Sequence, residues 1–233
     1  MVTALRSRLI AAQTFGKGLA ILLVASTVML TLPSAAQEYR HFPGSVPDLR
    51  TARIQERVET LYNQRNYRLA LRNYAEFLAP LGDKYAQYMV GYMHLSGQGT
   101  TPDPVQALAW YRLAAERNET PYIEARDTLA ATFTDEQRAA ADKIFVDLRR
   151  RIGDRQLLVE LIRRDVNALR RFDTEPAQDH ATAGFLGGAQ IDYRALTIDR
   201  LRQRAKYLER LPRDADVVAN EDDIQAYLAR YLN

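Results

Sequence analysis

The residues that most often carry chemistry do not occur here in a catalytic spacing. The chain has no cysteine, which excludes thiolate nucleophiles, zinc–thiolate sites and disulfides together. Its three histidines, His41, His94 and His180, are scattered, and none belongs to the His-Glu-x-x-His helix of a zinc hydrolase. There is no Gly-x-Ser-x-Gly elbow of a serine hydrolase. The pattern predicts no catalytic residue, no metal site and no cofactor.

Three weaker chemical signals need a separate interpretation. Gly97-x-Gly99 is too short for a nucleotide loop and joins two predicted helices, whereas a Rossmann turn follows a strand. Acidic residues are numerous, but spacing does not show which of them face each other, so a glycan-cleaving enzyme stays an open alternative. We expect His94 to be a partly buried imidazole with its hydrogen bonds satisfied. If it is buried, acid would destabilise the fold.

Composition and charge indicate an ordinary globular protein. Of 233 residues, 47% are apolar and 26% are charged, which excludes a disordered chain. Three of the 32 basic residues, and no acidic one, lie within residues 1–36. Without that segment, 29 basic residues face 29 acidic ones, so the remaining chain is neutral. A nucleic-acid binder usually keeps a basic surplus, and we therefore predict no nucleic-acid partner.

The first 36 residues have the three regions of a secretory signal. A basic start is followed by a mostly apolar run from Gly18 to Leu32, and Pro33 ends that run. Ser34 and Ala36 then supply the small residues that signal peptidase requires. We predict cleavage between Ala36 and Gln37 and a periplasmic or secreted protein. The run is shorter than the roughly 20 residues of a membrane-spanning helix, and no later segment is apolar enough to cross a membrane.

Helical periodicity dominates the rest of the chain. Residues 37–50 carry Pro43, Gly44 and Pro47 without a clear period and predict an extended arm. From about Thr51, apolar residues recur at helical spacing, and β-branched residues do not alternate as they do in strands. We therefore predict an all-α fold.

Two of the predicted helices have clear start signals. Asp103 is a natural N-cap, and Pro104 occupies the first helical position, where its missing N–H costs nothing. Thr134 and Gln137 predict a capping box at the start of a helix from Asp135 to about Ile152.

A period of 37 residues relates the predicted helix pairs. The first pair covers residues 51–82 and the second 83–117, and an incomplete third unit begins at Thr120. The related positions are Ala70 and Ala107, Leu71 and Leu108, Tyr74 and Tyr111, and Tyr85 and Tyr122. Helix–turn–helix units that repeat at this distance are typical of an α-solenoid.

Residues 83–117 resemble the Sel-one-like repeat, a subclass of the tetratricopeptide-repeat superfamily. The matching positions are Ala86, Val90, Gly91, Gly97, Gly99, Asp103, Ala107, Trp110, Tyr111, Ala114 and Ala115. His94 and Thr100 depart from the pattern, where the family usually has Tyr and Val. The resemblance is weaker over residues 51–82 and 120–133.

The resemblance implies a short right-handed α-solenoid of helix–turn–helix, tetratricopeptide-like repeats, and the helical periodicity after residue 152 adds a C-terminal helical extension. In such a unit, Gly91 and Ala107 let helix backbones approach closely. Gly97 and Gly99 adopt positive φ in the turn, and Trp110 supplies buried area between units.

The same resemblance implies an adaptor with a protein or peptide partner. In a solenoid, the first helix of each unit tends to line the inner surface. On helix 83–95, three residues lie away from the packing stripe of Ala86, Val90 and His94. We predict these three as partner-binding residues: Lys84, Gln87 and Tyr88.

Residues 153–233 form a C-terminal helical region without a recognisable resemblance. Helices are predicted over Arg155–Arg171 and Thr197–Leu211, with a last short helix after Asn220 that must dock on the rest. Residues 172–192 are predicted to be irregular, with the Gly184–Gly188 turn as either a contact surface or a linker. The arginines between residues 149 and 171 indicate either an acidic partner or a solvated face with interleaved acids, and the interleaving favours the solvated face.

Four segments follow from these patterns: a signal peptide (1–36), an arm (37–50), helical repeats (51–152) and a C-terminal helical region (153–233). The main hypothesis is an exported, non-catalytic adaptor. The alternative is a cell-envelope protein that binds or cleaves glycans with its C-terminal region. Self-association is a third hypothesis, because one to three repeats expose terminal faces that need a cap.

Overall fold

The computed structural model describes residues 49–174, 183–186, 189–212 and 222–232. The predicted signal peptide and most of the predicted arm lie outside these residues. The described part of the chain contains nine α-helices and one antiparallel strand pair. In chain order they are α1 Leu49–Asn63, α2 Tyr67–Asn73, α3 Lys84–Ser96, α4 Pro104–Ala114, α5 Thr120–Ala130, α6 Asp135–Ile152, α7 Asp154–Thr174, β1 Ala183–Leu186, β2 Ala189–Asp192, α8 Tyr193–Leu208 and α9 Asp222–Leu232.

The first helix pair is α1 and α2. Helix α1 begins at Leu49, two residues before the predicted start, so the end of the arm is helical. The chain turns at Arg65, whose φ is 61°. After α2 it continues through a π-helical turn (Tyr74–Leu78) and a 3₁₀ turn (Ala79–Leu81), and it ends at Gly82 with a φ of 76°. A left-handed glycine is a common helix end.

Helices α3 and α4 form the antiparallel pair that the repeat pattern predicts. The side chains of Asp83 and Asp103 accept hydrogen bonds from the third residue of each helix, Ala86 and Gln106. These caps satisfy N–H groups that the helix leaves unpaired. Trp110 is buried, as predicted.

Two glycines are required where the repeat helices meet their neighbours. A Cβ on Gly91 of α3 would lie 2.6 Å from the ring of Tyr111 and 3.1 Å from the carbonyl oxygen of Ala107. Gly99 has a φ of 84°, and its Cβ would lie 2.6 Å from the backbone of Tyr67 in the preceding unit. The predicted roles of both glycines are confirmed.

The third unit resembles the repeat only in its first half, but it is followed by the second helix that the capping box predicts. Helices α5 and α6 both lie against α4. The capping box predicted at the start of α6 is present, with Thr134 and Gln137 exchanging hydrogen bonds of 3.3 and 2.9 Å between side chain and backbone. The apolar face of α6 follows helical spacing but not the repeat's residue pattern, and the helix predicted from Asp135 to about Ile152 is present.

The C-terminal region packs α7, α8 and α9 around a core of its own. Leu158, Ile162, Leu169 and Leu201 are fully buried in it, together with Ile224, which docks α9. The core of the repeats extends from Val58 to Leu148 and is separate.

Part of the segment predicted to be irregular forms a strand pair. Ala183 pairs with Asp192 and Leu186 with Ala189 in antiparallel register. Two residues of sequence separate the strands, and connections of that length favour such hairpins.

Apart from this hairpin, the described residues form an all-α solenoid of three helix pairs with a helical extension. None of the described helices is long and apolar enough to span a membrane.

Candidate functional site

The three predicted partner-binding residues are buried and offer no surface to a partner. The exposed fraction is 0% for Lys84, 0% for Gln87 and 1% for Tyr88. The prediction assumed that the face of α3 opposite the apolar stripe points to solvent. In the structure that face is covered as well, because the preceding and following units pack on it. Tyr88, for example, lies 5.2 Å from Tyr111 and 5.6 Å from Tyr122, measured between ring centres.

Lys84 lies instead at the centre of a buried ionic network. Its Nζ lies 2.9 Å from Oδ1 of Asp154 and 3.0 Å from Oε2 of Glu116. It also donates to the carbonyl oxygen of Leu113 at 2.8 Å and to Oε1 of Gln87 at 3.0 Å. A buried ammonium group is tolerated only with such partners. Lys84 therefore joins α3 to α4 and to α7, while Gln87 joins α3 to the preceding unit by donating to the carbonyl oxygen of Ala79 at 3.1 Å.

Arg117 completes the network from the other side. Its Nε lies 2.7 Å from Oδ2 of Asp154, and it donates to the carbonyl oxygen of Gly82 at 2.9 Å. Burial alone would raise the pKa of Asp154, but Lys84 and Arg117 outweigh burial and hold that pKa below its ordinary value. The first residue of α7 is thus fixed to the repeats as a carboxylate.

Beside this network, a cleft of about 450 Å³ opens between the repeats and the C-terminal region. Its walls come from four places in the chain: the end of α4 with the 3₁₀ turn after it, α5, α6, and the end of α8. We name it the arginine cleft, because four arginines line it. The lining residues are Arg112, Ala115, Glu116, Arg117, Asn118, Arg126, Phe145, Tyr207, Arg210, Leu211 and Pro212.

Positive charge accumulates along the arginine cleft. The pKa of Arg112 is lowered, first by burial and then by the nearby positive charges of Arg126 and Arg149. Arg112 pairs with Asp142, and its guanidinium lies 4.6 Å above the ring of Phe145. Neighbouring positive charges that lower the pKa of an arginine mark a region of positive potential.

Two of the lining arginines are weakly engaged. Arg126 pairs with its chain neighbour Asp127, whose side chain is 61% exposed, and exposed pairs of this kind contribute little. Arg210 is exposed, and its guanidinium makes no hydrogen bond or ion pair with the described residues. Both guanidinium groups can turn to an incoming anion.

The floor of the cleft is apolar, and one arginine of α7 fixes its far wall. Phe145, Tyr207 and Leu211 are half-buried and contribute apolar surface. Arg155, which is 8% exposed, donates to the carbonyl oxygens of Leu208, Leu211 and Pro212 at 3.1–3.4 Å. It thereby satisfies carbonyls that the end of α8 leaves unpaired.

The sequence did not identify this cleft, because its residues come from distant parts of the chain. The one signal was the run of arginines from residue 149, and the structure divides that run. Arg149 lies near the cleft and pairs with Glu116 at 3.4 Å, while Arg163 pairs with Glu160 and Arg170 lies over Tyr227. Most of these arginines are engaged within the chain, as the interleaved acids suggested.

His94 departs from its predicted environment in one respect. The imidazole is partly buried, as predicted, but its Nδ1 has no hydrogen-bond partner among the described residues. Burial lowers the pKa of His94, and Asp103 opposes this only in part. No group of three or more potential metal ligands occurs in the described part of the chain.

These features define a helical-repeat protein with a charged cleft between its repeats and its C-terminal extension. Residues 84–119 match the family model of the Sel1 repeat, the family that the sequence resembles, so the chain contains a Sel1-like repeat. The match covers α3, α4 and the two arginines Arg112 and Arg117 of the cleft. No curated protein and no solved structure matches the chain.

Proposed function

We propose that this protein is an exported, non-catalytic adaptor that binds a protein partner through the surface of its helical repeats. Sel1 repeats are generally protein–protein interaction modules, and the match over residues 84–119 is the observation that carries the proposal. Export rests on the secretory signal in residues 1–36, with cleavage between Ala36 and Gln37 and a periplasmic or secreted destination.

The geometry supports binding better than catalysis. A glycan-cleaving enzyme of the usual kind needs two carboxyl groups that face each other across the substrate. Among the described lining residues of the arginine cleft, Glu116 is the one carboxylate, and it is held by Lys84, Arg149 and the backbone N–H of Asp154. A carboxylate engaged on three sides is poorly placed to take part in proton transfer. No observation favours the glycan hypothesis over the adaptor.

The proposal is tested by photo-crosslinking in the organism that encodes the protein. A crosslinking amino acid is placed at one exposed position in each helix pair and one at the rim of the cleft. These positions are Glu56 on α1, Thr101 in the turn before α4, Arg138 on α6 and Arg210 after α8. We expect a different protein to be captured from the exported fraction at one or more positions, and the mature chain to begin at Gln37 by N-terminal sequencing.

Two results would contradict the adaptor. The first is capture of nothing but further copies of the chain at all four positions, which would indicate self-association. The second is a full-length chain retained inside the cell, which would remove the basis for export. A glycan-modified product in place of a crosslinked protein would favour the alternative hypothesis.

A further inference from the structure

The arginine cleft is built by the fold and not by a local run of basic residues. Arg112 comes from α4, Arg126 from α5 and Arg210 from the segment after α8, so 98 residues separate the first from the last. The wall that carries Arg210 is fixed by Arg155, which binds the carbonyls at the end of α8. The fold therefore fixes the backbone positions from which the arginines reach into the cleft, while the side chains of Arg126 and Arg210 stay free to turn to a ligand.

We propose that the arginine cleft binds an acidic segment of the partner protein, with carboxylates on the arginines and an apolar side chain on the floor. This inference rests on the proposed function and specifies the chemistry of its partner. Guanidinium groups bind carboxylates in a bidentate geometry, and such charge-assisted hydrogen bonds are the strong ones. A ligand carboxylate would also relieve the repulsion among Arg112, Arg126 and Arg149.

The size and lining of the cleft favour a peptide over a simple anion. A volume of about 450 Å³ is much larger than a phosphate or a single carboxylate, and it lies in the range of sites that enclose several groups. The apolar floor of Phe145, Tyr207 and Leu211 would be left uncovered by a small anion. A segment that alternates acidic and apolar residues would cover both parts.

A membrane surface fits the cleft less well. Proteins that bind anionic lipid place exposed apolar side chains beside the basic residues, so that these enter the bilayer. The exposed large apolar residues among those described are Leu49, Phe77, Leu81, Tyr193 and Leu196, and none of them lines the cleft.

The test uses residues 37–233 and two fluorescein-labelled ten-residue peptides, one with six Glu around a central Phe-Leu pair and one with Gln in place of every Glu. We expect the Glu peptide to bind more tightly than the Gln peptide, and its affinity to fall as salt rises. The variant Arg126→Ala/Arg210→Ala should weaken binding of the Glu peptide by roughly tenfold for each arginine removed.

The matched control is Arg138→Ala/Arg202→Ala, which removes two exposed arginines of α6 and α8 outside the cleft. It lowers the net charge by the same amount, so it should leave peptide binding within about twofold if the effect is local. The charge-reversed variant Arg126→Glu/Arg210→Glu should prefer a Lys peptide of the same design. Circular dichroism and thermal unfolding confirm that each variant is folded.

Three results would overturn the inference. The first is an equal loss of peptide binding in the control variant, and the second is equal binding of the Glu and Gln peptides. The third is that the protein binds phosphatidylglycerol vesicles and the cleft variant abolishes this binding but leaves peptide binding unchanged. The crosslinking experiment separates this failure from failure of the adaptor. Capture of a partner at Glu56 or Thr101 would support the adaptor proposal even if the peptide does not bind the cleft.

Discussion

The repeat region and the C-terminal region are both small helical assemblies with apolar cores. They differ in the kind of contact that joins neighbouring helices. Within the repeats, close contacts are made by glycine, alanine and stacked tyrosines, as where Gly91 meets the ring of Tyr111. In the C-terminal region, α7 and α8 are joined through Asp165, which is 3% exposed and binds Arg200 and Arg204 at 2.7 and 2.6 Å. The contact at Gly91 depends on shape, and the contact between α7 and α8 depends on paired charges. The repeats have a buried ion pair of their own, Lys84 with Glu116, at the place where they meet α7.

The two kinds of contact should respond differently to substitution. A contact that depends on shape fails when volume is added, and the cost is limited because neighbours can shift. A buried ion pair fails when one partner is removed, and the cost is larger because the other charge stays buried without compensation. The contact between α3 and α4 at Gly91 should therefore be sensitive to an added methyl group, and the contact between α7 and α8 to a lost carboxylate.

The largest effect is expected from Asp165→Ala. Removing this carboxylate leaves the guanidinium of Arg204 buried without an acidic partner, which should lower the free energy of unfolding by about 3–5 kcal/mol. Urea unfolding measures this change. Hydrogen exchange should show that protection is lost first in α7 and α8, while α3 and α4 keep theirs.

The control for Asp165→Ala is Asp199→Ala on α8. Asp199 is 58% exposed and lies 3.6 Å from Arg202, and exposed pairs of this kind contribute about 0–1 kcal/mol. Equal destabilisation by the two variants would show that the C-terminal region does not depend on its buried pair. The contrast between the two regions would then be lost.

A smaller effect is expected from Gly91→Ala in the repeats. The new Cβ would lie 2.6 Å from Tyr111, and this ring cannot easily withdraw because it stacks on Tyr88 at 5.2 Å. Overpacking of this kind costs about 1–3 kcal/mol. Thermal unfolding of the mature chain measures it.

A double-mutant cycle shows whether the cost of Gly91→Ala arises from that contact. The variant Tyr111→Leu removes the ring and is itself destabilising, but it makes room for the added methyl group. Gly91→Ala should therefore cost clearly less in the Tyr111→Leu background than in the wild type. If the two changes in the free energy of unfolding simply add, the cost of Gly91→Ala does not arise from contact with the ring of Tyr111.

The sequence predicts the shape-based region better than the charge-based one. The caps at Asp103 and Thr134, the glycine turns and the close approach at Gly91 all follow from local spacing, because each contact is made within a repeat or between neighbouring ones. This local information is sufficient to predict the helix pairs and the fold class. The residue pattern of the repeat ends in the third unit, but helical spacing and the capping box at Thr134 still predict α6.

Contacts that span the chain account for most of what the sequence missed. On a helical projection Lys84 lies away from the apolar stripe and so looks exposed. Its partner Asp154 is 70 residues away and cannot be recognised by spacing. The arginine cleft has the same origin, because Arg126 and Arg210 meet only after α8 docks. Nothing in the pattern around either arginine distinguishes it from the exposed Arg138 or Arg202.

The smallest expected effect is on the pH dependence of the free energy of unfolding. Two side chains should contribute to it with opposite sign: Glu119, where the two regions meet, and His94, inside the repeats. Burial raises the pKa of Glu119 to about 7, and Asp154 adds to this while Arg117 and Lys84 oppose it. A carboxyl group with a raised pKa stabilises the fold below its ordinary pKa, and that stability is lost as pH rises through about 7. Burial lowers the pKa of His94, so its contribution is lost as pH falls below 6.5.

Urea unfolding at pH 5, 6, 7 and 8 separates the two groups when each variant is compared with the wild type. Relative to the wild type, the Glu119→Gln variant should become more stable as pH rises from 5 to 8. The His94→Gln variant should become more stable relative to the wild type as pH falls from 7 to 5. Each change should be about 1 kcal/mol, because both side chains are partly exposed and solvent reduces the effect. A Glu119→Gln difference that is flat with pH would mean that this carboxyl group is already charged at pH 5. The boundary between the regions would then hold only compensated charges, and the paired-charge description of Lys84, Arg117 and Asp154 would extend to Glu119.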